Sequence, residues 1–78
     1  MSINKSAIVN ILDYQGNSIG TGFFASSDGY ILSCFHVLDH SGFLIEDRVR
    51  FSIGEDSQVF TAVWIDGDKE FDIALLDS

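Results

Sequence analysis

Short apolar runs broken by turn residues constrain this chain more than any other feature, because no stretch holds a 3.6-residue apolar period for three turns. Long amphipathic helices are therefore excluded, and the pattern reads as nearly all β. Strands are predicted over 7–12, 20–25, 30–34, 48–53, 58–65 and 72–77. Arg48-Val49-Arg50-Phe51-Ser52-Ile53 alternates polar and apolar residues, as a half-buried strand does. Between the strands lie a polar turn over 13–18 and a tight hairpin at Ser26-Ser27-Asp28-Gly29, where Gly29 suits a positive φ. One helical turn is expected at His36 to Asp39, then a loop from His40 to Gly42. The acidic segment Asp66-Gly67-Asp68-Lys69-Glu70 is expected to end the fifth strand. Six short strands at this spacing fit a small barrel or sandwich.

The chain has 78 residues, 46% of them hydrophobic, with seven Phe and no Pro. That is too apolar for a disordered tail. It also exceeds what a lone domain of this size requires, so part of the apolar surface is expected to meet a partner domain. Twelve Asp and Glu against four Lys and Arg give a formal charge of −8. Such a surface repels phosphate backbones and anionic lipid, so neither nucleic acid nor membrane is expected as a partner. Runs such as Ile73-Ala74-Leu75-Leu76 fall far short of the roughly 20 residues that span a bilayer. No apolar leader follows Met1, and the single Cys34 has no second cysteine to pair with. Both point to a cytoplasmic location.

The segment Gly20-Thr21-Gly22-Phe23-Phe24-Ala25-Ser26-Ser27-Asp28-Gly29-Tyr30-Ile31-Leu32-Ser33-Cys34-Phe35-His36-Val37 combines a Gly-x-Gly-Phe strand, an Asp-Gly hairpin and an apolar strand that leads into His-Val. Further on stands Glu70-Phe71-Asp72-Ile73-Ala74-Leu75-Leu76. In order and spacing the two motifs resemble the trypsin-like serine proteases, especially their HtrA-type branch. The resemblance implies a six-stranded Greek-key barrel over residues 1–78, forming the N-terminal half of a double-barrel peptidase. It also implies roles for His36 and Asp72. A serine hydroxyl is a poor nucleophile until an imidazole takes its proton, which would be the task of His36. A carboxylate on the other ring nitrogen, here Asp72, would hold the useful tautomer and stabilise the imidazolium.

In that family the nucleophile lies in a Gly-[Asp/Asn]-Ser-Gly-Gly loop, and no Ser here precedes Gly-Gly. The serine is therefore expected from a missing C-terminal barrel of roughly 80–120 residues. The chain alone is expected to be inactive, and the complete enzyme to be a serine endopeptidase acting on polypeptides. Cys34 and Phe35 depart from the small residues many relatives carry before the histidine, and Phe35 is read as packing beside the base. No Arg-[Ile/Val]-[Ile/Val]-Gly-Gly junction is present, so a zymogen mechanism is not expected.

Other readings fare less well. His36 and His40 have the i, i+4 spacing of zinc ligands, but Val37 stands where a metalloprotease carries glutamate. The segment from Asp66 has Phe71 where a calcium loop needs Gly. Gly20-Thr21-Gly22 lacks the third glycine and helix of a dinucleotide site. No metal and no cofactor are therefore expected. Cys34 is read as a small buried hydrophobe, Trp64 and the Phe residues as core or interdomain packing, and His40 as a surface residue. Two alternatives stay open: a noncatalytic protease-like binding or scaffolding module, and an unrelated β-barrel in which His36 and Asp72 lie far apart. Specificity and oligomeric state are not legible.

Overall fold

A computed structural model describes residues 8–55 and 58–78. Six antiparallel strands, β1 (Ile8–Leu12), β2 (Ser18–Phe24), β3 (Tyr30–Ser33), β4 (Arg48–Ile53), β5 (Val59–Asp68) and β6 (Ile73–Asp77), surround one core. A short helix, α1 (Phe35–His40), lies between β3 and β4. The strands close in the order β1-β2-β3-β6-β5-β4. With β4 beside β1, the first four strands make a Greek key, and closure leaves no sheet edge unpaired. Residue 7 of the predicted first strand lies outside the described residues.

Alternation along each strand builds the interior. Val9 and Ile11, Val49 and Phe51, Ala62 and Trp64, and Ala74 and Leu76 point inward, joined by Ile31, Leu38 and Phe43, all at most 2% exposed. Successive side chains take opposite faces of a strand, so i, i+2 pairs of apolar residues are what a small filled barrel requires. The predicted hairpin is present: the Ala25 amide donates to the Tyr30 carbonyl at 2.8 Å, and Gly29 takes φ +91°.

β2 begins at Ser18, within the predicted turn, and α1 takes in Phe35 and His40, while two further boundaries that differ from the sequence-based expectation shape the site. β5 does not stop at Ile65 but continues through Asp68, with Asp66, Gly67 and Asp68 opposite Leu75, Ala74 and Ile73. The register shifts between Trp64 and Asp66, so Ile65 is an extra residue that bends the strand and lets pairing resume. The Trp64 indole N–H donates to the Asp66 carbonyl across this bulge at 2.8 Å. At the other boundary Asp72 lies before β6 rather than in it, in a turn with φ +57°. Among the described residues, no helix is long and apolar enough to cross a membrane.

Leu76 is fully enclosed whereas Phe71 is 71% exposed. Leu76→Ala is therefore expected to lower the free energy of unfolding in urea by about 2–5 kcal/mol. Phe71→Ala should change it by less than about 0.5 kcal/mol.

Candidate active site

Barrel closure decides which chain ends meet. β3 pairs with β6 so that Ser33 lies opposite Ala74. The residues leaving β3 and those entering β6 therefore emerge at the same end of the barrel. Cys34, in an extended conformation (φ −99°, ψ 133°), turns the chain into α1.

Packing then fixes α1. Leu38 is completely buried, and the Phe43 amide donates back to its carbonyl at 3.0 Å. Val37 lies over Gly20, where a Cβ would come within 3.0 Å of its methyl group. Phe35 meets Trp64 edge-on with ring centroids 5.3 Å apart, and it covers Gly67, where a Cβ would sit 2.9 Å from the ring. Gly20 and Gly67 are thus spaces for the residues that flank His36. Phe35 packs beside the histidine, as expected from the sequence. The Ser33 hydroxyl donates to the Thr21 carbonyl at 2.9 Å, tying the end of β3 to β2.

On the opposite side, the Asp68 carboxylate accepts from the amides of Glu70 and Phe71 at 2.9 and 3.1 Å. Its role is therefore to set the turn before Asp72, a local side-chain-to-backbone bond of the kind Asp favours. The signal was legible in the spacing, an Asp two and three residues before the amides of a turn. Asp72 occupies the left-handed region, which Asp tolerates better than most residues and which is often held by functional context.

His36 and Asp72 meet directly. One carboxylate oxygen, Oδ1, accepts from the His36 amide at 2.7 Å, and Oδ2 lies 2.5 Å from His36 Nδ1. The far-apart alternative is thereby contradicted. The His36 amide, first of all, holds the Asp72 carboxyl below the ordinary 3.8, and the bond and charge of the His36 ring and the charge of His40 add to it, against partial desolvation. An ionised carboxylate can only accept, so Nδ1 carries a proton in this contact, and in the neutral ring Nε2 is the nitrogen that keeps its lone pair. That is an imidazole prepared to take a proton from a second group. The side chains are 57% and 41% exposed, open to whatever approaches from outside the barrel.

Cys34 is exposed rather than buried, because β3 ends one residue before it and the inward alternation ends there too. His40 closes α1 with its ring 5.9 Å from that of His36. Beside the pair, a cleft of about 710 Å³ is lined by apolar groups that include Ile8, Phe23, Leu32 and Ile73.

The family model for the trypsin-like peptidase domain matches residues 20–78. The chain belongs to the trypsin-like peptidase family. Its closed six-stranded barrel fits the N-terminal barrel of a trypsin-like protease. Comparison with curated proteins gives no match. Within this trypsin-like domain the matched span runs from Gly20 in β2 through β6, and so holds both residues of the His36–Asp72 contact.

The lowered pKa of Asp72 has a measurable sign. Its carboxylate should titrate below 3.8 in carbon-detected NMR, and the contact with His36 should be intact above that range and lost as pH falls through it. Asp68→Ala removes the acceptor that sets the turn and should move the Asp72 titration up toward 3.8.

Proposed function

We propose that this chain is the N-terminal barrel of a serine endopeptidase, with His36 as general base and Asp72 as the carboxylate that orients it. The observation that carries the reading is the double contact of Asp72 with the His36 amide and ring nitrogen, within a trypsin-like peptidase domain. Nε2 would accept the proton of a serine hydroxyl as that oxygen attacks the peptide carbonyl, and then give it to the departing amine. Asp72 would stay ionised throughout and stabilise the imidazolium between the two steps.

The serine would come from a C-terminal barrel. The exposed apolar surface supports this, since Phe23 is 51% and Ile73 46% exposed beside the site. Covering that cleft would remove apolar area from water and exclude water from the reacting groups. No serine of the chain is followed by two glycines, so the 78 residues alone are proposed to be inactive. A single cysteine with no partner in the chain supports a reducing, cytoplasmic setting.

The test uses this barrel together with the segment that follows it in the parent protein, assayed on an unfolded polypeptide. Hydrolysis is expected, with labelling of one serine by an organophosphonate. His36→Ala should lower kcat by about 10⁴–10⁶-fold and Asp72→Asn by about 10⁴-fold, with little change in folding. Hydrolysis that survives His36→Ala would overturn the assignment. A following segment without a reactive serine would favour a noncatalytic protease-like module.

A further inference from the structure

The fold brings a third ligand-type side chain to the His36–Asp72 pair. A nitrogen of His36, a carboxylate oxygen of Asp72 and Sγ of Cys34 all lie within 4.8 Å of one another. They reach one point from three directions: Cys34 from the exit of β3, His36 from α1 and Asp72 from the turn before β6. Sequence spacing pairs His36 with His40 and frames a loop starting at Asp66, and neither pattern includes Cys34. The cluster drawn together by barrel closure is a different one.

We propose that Cys34, His36 and Asp72 form a zinc site. Thiolate, imidazole and carboxylate are the three ligand types that zinc combines, and the thiolate disfavours magnesium and calcium, which take oxygen ligands. Bonds of ~2.0–2.3 Å set the ligand atoms of a tetrahedral zinc roughly 3.3–3.7 Å apart. The cluster reaches that geometry by opening the His36–Asp72 contact and closing the more distant ligands, each by roughly 1 Å. The exposure of both side chains leaves room for this movement. Asp72 is not released, because Oδ1 keeps the His36 amide while Oδ2 turns to the metal. One thiolate and one carboxylate balance the two positive charges; the thiol proton leaves to solvent, the Nδ1 proton passes to Nε2 by exchange with water so that Nδ1 presents its lone pair, and water completes the fourth position. A formal charge of −8 attracts the cation at long range. Bound zinc would replace the Nδ1–carboxylate hydrogen bond, so that on the proposed peptidase reading the metal holds the base switched off. Metal binding itself does not depend on that reading.

The experiment titrates Zn²⁺ into the 78-residue chain, reduced and free of affinity tags, by calorimetry, and repeats it with Co²⁺ followed by absorption. One zinc per chain is expected, unaffected by millimolar Mg²⁺ or Ca²⁺. The Co²⁺ form should show a sulfur-to-cobalt charge-transfer band in the near ultraviolet. Cys34→Ser should abolish that band and weaken zinc at least about 10-fold, the lower end of what loss of a supporting contact costs. Asp72→Asn, an amide tolerated at the same left-handed position, should also weaken zinc at least about 10-fold. Circular dichroism checks that both variants keep the strand content of the parent chain. Absence of binding, a Co²⁺ spectrum without the sulfur band, or zinc affinity unchanged in folded Cys34→Ser overturns the proposal. Because the readout is metal binding, its failure leaves the peptidase reading standing, and the failure of hydrolysis leaves the zinc site standing.

Discussion

Pairing of β3 with β6 is the constraint on which the rest of this structure depends. Tyr30 to Ser33 run antiparallel to Asp77 to Ala74, joining segments far apart in the chain. The ladder closes the barrel between its first and last hairpins and seals Ile31, Ala74 and Leu76 inside. A pairing this distant has a large loop-closure entropy, so it persists only with the burial and hydrogen bonds it makes possible. Its open end is where His36 and Asp72 face each other. The core and the site are therefore consequences of the same register, and a slip of one residue would turn every inward side chain outward and separate the pair.

Around that end, small residues and local polar contacts convert register into geometry. Gly20 accepts Val37 and Gly67 accepts Phe35, so the residues on either side of His36 are held by packing. Asp68 fixes the turn that delivers Asp72, and Asp72 then accepts two hydrogen bonds from one residue. A carboxylate held at two points has little freedom to leave the imidazole, even though the site is open to solvent.

Much of this was legible in the chain. Short apolar runs broken by turn residues located the six strands, and alternation marked β4 as half-buried. The His-Val and Asp-Ile-Ala-Leu motifs supplied the partners, and the resemblance they carry supplied the Greek key, which periodicity alone left undecided between barrel and sandwich. The extension of β5 was hidden, since Asp66-Gly67-Asp68 has turn composition and becomes strand only through the bulge and its pairing with β6. The left-handed backbone of Asp72 and the exposure of Cys34 were hidden for a related reason. Both follow from where strands stop, and the stopping points are decided by neighbouring strands rather than by local propensity.

Taken together, the geometry makes the barrel a holder of one imidazole in one protonation form. The ring nitrogens of His36 report this directly through their ¹⁵N chemical shifts in the 78-residue chain above the range in which the ring is protonated. A protonated Nδ1 with a low-field proton, and an unprotonated Nε2, is the predicted result. A proton on Nε2, or the averaged tautomers of free histidine, would mean that Asp72 does not hold the ring, contradicting a prepared base.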